Sequence, residues 1–144
     1  MKDIVFETER MILRKLTLED IGNLMLIFSN PIAMQYYPRL YNEKDARDWI
    51  ERAQTNYRKY NAGMWACHLK QTGEFVGLCG LHYHPDIDGQ EEFEIGYLFV
   101  RKFWHQGLAT EAAKACEKHL KEKGLFPSFV RRTNLPRGLP NAMA

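Results

Sequence analysis

The sequence predicts a mixed α+β fold, a mixed sheet with helices packed on it, and three observations predict it. Strand-like and helix-like segments interleave in the order β, α, α, β, β, β, α, β along 144 residues. The helix-like segments carry start and stop signals, capping residues before them and turn formers or glycine after them. The second half holds closely spaced apolar runs separated by turn formers, the pattern of hairpin strands.

Taken in order, "RMILRKL" (residues 10–16) alternates and reads as the first strand. Thr17 opens "TLED", an N-cap followed three residues later by an acid, close to a capping box. Ile21, Leu24, Met25 and Phe28 follow at helical spacing, "SNP" ends that helix, and Pro31 suits the first position of a short further turn. "YPRLYN" is an aromatic loop in which Tyr36 and Tyr37 read by default as packed aromatics. Asn42 caps a longer helix whose inward face is Ala46, Trp49, Ile50, Ala53, Tyr57 and Tyr60, and "NAG" stops it. "MWACHLK" (64–70), the turn "QTGE" and "FVGLCGLHYH" (75–84) form a hairpin, "PDIDGQ" (85–90) is a loop, and "FEIGYLFV" (93–100) is the next strand. The last helix turns Ala109, Ala112, Ala113, Cys116 and Leu120 inward and stops at Gly124; "PSFV" (127–130) is the final strand.

Composition sets bounds on function. With 45% apolar and 26% charged residues the chain reads as one soluble, globular domain with a real core. A net charge of +2 is too mild for a nucleic-acid partner, where a concentrated basic face is expected. No apolar run approaches the roughly 18 residues of a membrane span, and "MKDIVFETER" is too charged for a signal peptide. Cys67, Cys79 and Cys116 form neither a CxxC pair nor a zinc spacing, so no metal is expected. They read as reduced, half-buried thiols of a cytoplasmic protein.

The chemistry concentrates in "FWHQGLATEA", between the strand "FEIGYLFV" and the alanine-rich helix. A helix N-terminus leaves about four N–H groups without intrahelical partners and carries a partial positive charge, which suits phosphate oxygens. Gly107 has no side chain and Ala109 almost none, so backbone amides there are open to a pyrophosphate; His105 and Gln106 add donors, and Thr110 adds a hydroxyl. The bland alternative is an ordinary loop glycine before a helix. The Walker pattern is excluded because no lysine follows the glycine, and the dinucleotide fingerprint because only one of its three glycines is present.

From "ETERMILRKLTLEDI" through "FEIGYLFVRKFWHQGLATEAAKACEKHL", over roughly the first 130 residues, the chain resembles the GCN5-related N-acetyltransferases (GNAT). Within them it is most similar to the branch that acetylates ribosomal-protein N-termini and small amines. The resemblance implies a mostly antiparallel central sheet with flanking helices, acetyl-CoA as cosubstrate, and an amine acceptor. The family motif Q/R-x-x-G-x-G/A falls on Trp104-His105-Gln106-Gly107-Leu108-Ala109, with Trp104 in place of the usual Gln or Arg. It implies that pyrophosphate rests on the amides of His105, Gln106, Gly107, Leu108, Ala109 and Thr110. It also implies that the strand ending in Leu98, Phe99 and Val100 splays from its neighbour and pairs with the pantetheine arm. Acceptor specificity would sit in residues 31–42, with Tyr36 and Tyr37 at the substrate mouth.

Amine acetylation needs a proton acceptor near the thioester. Glu94 is the first candidate, because alternation places it on the face of Gly96 and Leu98; the bland reading is a surface carboxylate. His82 and His84 share a face on the preceding strand and are alternatives, or simply solvated histidines. Residues 131–144 read as an atypical tail after a domain of residues 1–130. There Asn134 resembles the family asparagine that touches the pantetheine arm, but Arg137 stands where a serine is usual, and Pro136, Gly138 and Pro140 forbid a normal helix. All seven tyrosines lie at or before Tyr97, so the tyrosine that serves many members as general acid has no counterpart. The tail therefore reads as a truncation that leaves the last helix and strands missing or altered. Two functions stay open: an N-acetyltransferase acting on a primary amine of a protein N-terminus or small molecule, and a CoA-binding remnant or binding module with little turnover. An open sheet edge near residues 128–130 leads to the expectation of a twofold homodimer.

Overall fold

The computed structural model describes residues 1–87, 90–125 and 130–132, with 83–87, 90–92 and 130–132 described as backbone only. Strands β1 (Ile4–Glu7), β2 (Met11–Lys15), β3 (Met64–Leu69), β4 (Phe75–Ile87), β5 (Gln90–Phe99) and β6 (Val130–Arg132) form one sheet in sequence order. Every pairing is antiparallel except β5 with β6, which is parallel. Helices α1 (Ile21–Phe28) and α2 (Glu43–Tyr60) precede β3, and α3 (Leu108–Glu122) follows β5. This is the α+β arrangement that the sequence predicts.

The helix starts follow their caps. The Asp20 carboxylate accepts from the Thr17 N–H (2.9 Å) and Thr17 Oγ1 accepts from the Glu19 N–H (3.3 Å), closing a short 3-10 turn that leads into α1. Asn42 and Asp45 form a reciprocal pair at the start of α2, at 3.0 and 2.8 Å. Asn61 ends α2 in the left-handed region, with φ 56°. Leu24, Ile27 and Phe28 of α1 are buried, as are Ala46, Trp49, Ile50 and Ala53 of α2, while Tyr57 and Tyr60 are half-buried. The Tyr57 hydroxyl fastens α2 to the sheet by accepting from the Leu16 N–H (3.1 Å) and donating to the Met64 carbonyl. Asp20 is buried against Arg14, whose Nη2 lies 2.6 Å from Asp20 Oδ1 and whose Nε donates to His68 Nε2 at 3.1 Å.

The two faces of the sheet serve different partners. Cys79 and His82, three apart on β4, point to opposite sides. Cys79 meets Cys116 of α3 with the sulfurs 3.4 Å apart, whereas His82 lies against Trp49 of α2 with ring centroids at 5.3 Å. Helix α3 therefore covers one face, and α1 and α2 cover the other.

Several sequence expectations are corrected. The first strand is β1, a short run that precedes "RMILRKL" and pairs with it. Pro31 opens turns, as the sequence suggests, with Asn30 Oδ1 accepting from the Ile32 and Ala33 N–H groups at 2.9 and 3.0 Å. The 85–90 loop shrinks, because β4 runs on to Ile87 and β5 starts at Gln90; a register irregularity between His84 and Ile87 accommodates Pro85, which has no N–H to donate. The three thiols are wholly rather than half buried. Among the described residues the last strand is Val130–Arg132, so of "PSFV" only Val130 belongs to it and the rest lies outside them. The tail expectations, Asn134 and Arg137 included, also lie outside the described residues.

Candidate active site

The end of β5 leads through a 3-10 turn (Arg101–Phe103) and a tight loop into α3. The loop is held from within by Trp104, which is 7% exposed: its indole N–H donates to the Phe99 carbonyl at 2.8 Å, and the Arg101 guanidinium lies over its ring at 4.8 Å. At the motif position where the family usually has Gln or Arg, Trp104 thus ties the strand end to the loop. His105 (φ 66°) and Gly107 (φ 76°) both adopt the left-handed region, which turns the chain sharply into the helix. Among the described residues, no backbone N–H from 105 to 110 donates to another protein group. The first to do so is that of Glu111, to the Gly107 carbonyl at 3.0 Å. His105, Gln106 and Thr110 are exposed around these open donors.

The small residues also serve the fold. Ala109 is 1% exposed and packs into the core with Leu108, so its size serves helix–sheet packing. At Gly107 an added Cβ would meet only Arg10 Nη2, at 3.6 Å, so the protein itself leaves room there, and the left-handed φ favours glycine.

A clamp that the sequence reading did not single out braces the same loop. Glu111, in the first turn of α3, accepts from the Thr8 hydroxyl (2.6 Å), the Arg10 N–H (3.0 Å) and Arg10 Nε (2.7 Å). Arg10 Nη1 donates to the Gln106 carbonyl at 3.0 Å. Burial pushes the Glu111 carboxyl up, but the hydrogen bonds from Thr8 and Arg10 outweigh it and hold the group below its ordinary range. The "TERM" stretch contained the signal, since Thr8 and Arg10 flank the turn into β2, yet nothing local says that they reach a residue about 100 positions away.

Glu94 lies on β5, between β4 and β6, and is 0% exposed, which removes the surface-carboxylate reading. Its cross-strand partner on β4 is the half-buried His82, whose ring lies against Trp49. In the segment between α1 and α2, burial first, then Tyr41 and Glu94, push the Tyr37 hydroxyl well above its ordinary value. Tyr36 beside it is exposed. The side chain of His84 lies outside those described.

The side chains of Leu98, Phe99 and Val100 are sealed in the core at 0%, 0% and 8% exposure, so this strand end can offer a ligand only its backbone. Leu98 and Phe99 pair with Leu78 and Gly77 of β4, and the Val100 N–H donates to the Val76 carbonyl at 2.9 Å. On the other side, the described ladder with β6 covers Phe93, Glu94 and Ile95. Among the described residues no group of three His, Cys, Asp or Glu is placed to hold a metal ion, and no helix is long and apolar enough to cross a membrane.

Comparison with known proteins matches this geometry. Residues 10–136 fit the model of the acetyltransferase (GNAT) domain. The Bacillus subtilis (strain 168) protein YkkB, itself uncharacterized, is 39% identical over 110 residues, which span 76% of this chain and 63% of YkkB. A GNAT-family acetyltransferase from Bacillus anthracis superposes with a TM-score of 0.65 at 26% identity, over 83% of this chain and 68% of that one. The ribosomal L7/L12 alpha-N-protein acetyltransferase RimL, in complex with coenzyme A, shares the fold with a TM-score of 0.65 at 16% identity, over 85% of this chain and 70% of that one. With the loop-and-helix cradle, the sheet order and the family match in agreement, the chain belongs to the GNAT acetyltransferase family.

Proposed function

We propose that the protein binds acetyl-CoA and transfers its acetyl group to a primary amine, on a protein N-terminus or a small molecule. The observation that carries this reading is the run of backbone N–H groups at residues 105–110 that make no bond to protein among the described residues, at the positive end of α3. A pyrophosphate accepts from these donors, and the backbone of Leu98, Phe99 and Val100, beyond the described ladder with β6, receives the pantetheine arm, with Asn134 as a further contact. This directs the thioester along β5 toward Glu94, on the sheet face that α1 and α2 cover.

The chemistry there is amine attack on an activated acyl group. The nitrogen lone pair of a neutral amine forms the new C–N bond to the thioester carbon. The proton that the nitrogen sheds passes to Glu94, directly or through water, and the C–S bond breaks as the thiolate leaves and is reprotonated from solvent. Holding both reactants in line supplies much of the rate, and backbone amides polarise the carbonyl. The acceptor is read by residues 31–42, where Ile32, Tyr36 and Leu40 are exposed. The reading places the protein in the cytoplasm, treats residues 1–130 as the acetyl-CoA-binding domain, and expects a homodimer paired along the edge that β6 forms.

A panel of primary amines, with peptides bearing free N-termini among them, assayed for CoA thiol release tests this function. Release that depends on both acetyl-CoA and one acceptor class is the expected result. Tight CoA binding with no release for any amine would favour a binding module instead.

A further inference from the structure

We propose that Arg10, on the turn between β1 and β2, is a positioning residue that sets the pyrophosphate-binding loop for acetyl-CoA. This deepens the acetyl-CoA reading above and rests on it.

The peptide between Gln106 and Gly107 is the key element. A trans peptide holds its C=O and N–H in one plane, pointing in opposite directions. Arg10 Nη1 takes the Gln106 carbonyl at 3.0 Å, so the Gly107 N–H of that same peptide is aimed away from Arg10. That N–H belongs to the run that makes no bond to protein among the described residues. Rotation of this one peptide would bury a donor of the cradle and present an oxygen to an incoming phosphate. Such a rotation changes only ψ of Gln106 and φ of Gly107, and glycine takes either sign of φ, so an external hold is needed to select one orientation.

Electrostatics points the same way. Glu111 stands in the first turn of α3, where its negative charge favours the helix but repels an anion arriving at that end. Arg10 Nε holds that carboxylate at 2.7 Å, and the Thr8 hydroxyl holds its other oxygen at 2.6 Å. One guanidinium therefore compensates the acid and orients the peptide. A planar fork is suited to bonding a carboxylate and a carbonyl together; an ammonium group is not. The pairing also explains why an acid is tolerated beside an anion cradle.

The test compares acetyl-CoA with acetyl-pantetheine, which carries the same thioester and no phosphates. For Arg10→Ala, kcat/KM with acetyl-CoA should fall about tenfold to hundredfold, the scale of one lost charge-assisted hydrogen bond, through KM rather than kcat. The value with acetyl-pantetheine should stay within about threefold, because nothing in the thioester subsite has changed. Arg10→Lys keeps the charge and should recover only part of the loss. Adding Glu111→Gln to Arg10→Ala should recover part as well, by removing the exposed negative charge. Equal losses for both thioesters in Arg10→Ala, or in Arg10→Lys should the alanine variant not fold, would overturn the inference and reduce Arg10 to a structural strut. Parent-like acetyl-CoA kinetics in a folded variant would overturn it as well. If the parent itself shows no preference for acetyl-CoA over acetyl-pantetheine, the pyrophosphate reading fails and this inference with it.

Discussion

The two ends of β5 are built on different principles. At its C-terminal end, beyond Phe99, the site consists of backbone: open N–H groups at 105–110, set by two left-handed residues and an indole strut. Nearer its start the proposed site consists of side chains, with Glu94 buried, His82 opposite it on β4, and Trp49 of α2 against His82. A backbone site tolerates change in its side chains but not in its dihedrals. A side-chain site is the reverse, since in the proposed function one carboxylate carries the chemistry. Binding and turnover should therefore separate cleanly by mutation.

The largest separation is expected at Glu94. Glu94→Gln keeps shape and removes the base, and kcat should fall about 10²- to 10⁴-fold while the KM for acetyl-CoA holds; steady-state kinetics across pH checks both. Loss of affinity with unchanged kcat would place Glu94 in binding instead. On the same half of the molecule, Asp20→Ala strands the Arg14 guanidinium, both partners being largely buried, and should cost about 3–5 kcal/mol of stability by denaturant unfolding. The parent should also lose stability in acid. Burial pushes Asp20 up, but hydrogen bonds from Arg14, Thr17 and Asn23 outweigh it and hold the folded value below the ordinary 3.8. The contribution is then complete above that ordinary value and fades as pH falls through the lower folded one. Unfolding curves that shift equally in the parent and in Asp20→Ala between neutral pH and pH 3 would remove Asp20 as the cause.

At the backbone end, Gly107→Asp places a Cβ at φ 76° and a negative charge at the cradle, and CoA affinity by calorimetry should drop about 100-fold. Gly107→Ala, with the same strain and no charge, should lose much less and so separates conformation from repulsion. The smallest effect is expected for Trp104→Phe, which keeps an aromatic ring, smaller than the indole, and removes the N–H to the Phe99 carbonyl. A few-fold rise in the KM for acetyl-CoA and about 1–3 kcal/mol of lost stability are expected, with kcat unmoved.

The contrast also explains what the sequence disclosed. Backbone features are local, so Gly107 before an alanine-rich helix, the Thr17 and Asn42 caps and the stop at Gly124 were legible in their own neighbourhoods. The β1 strand was missed because three apolar residues among charges give a weak pattern, and β4 was cut short because Pro85 reads as a turn until its ladder partner is known. Ala109 was assigned to clearance, and the fold adds a packing role that the sequence did not show, since a small residue at a helix start satisfies both demands. Glu94 was correctly placed on a face by alternation, but its burial depends on α1 and α2 closing over it. The Arg10–Glu111 clamp joins residues 101 apart in sequence, and no local pattern announces such a pair.

Backbone amide exchange on the parent, measured with and without CoA, tests the division between these two halves most directly. Binding through the cradle predicts slowed exchange concentrated at residues 105–110, where the N–H groups are open in the absence of ligand, with little change at Glu94 or in β1 to β3. CoA that binds while exchange at 105–110 stays unchanged would contradict it.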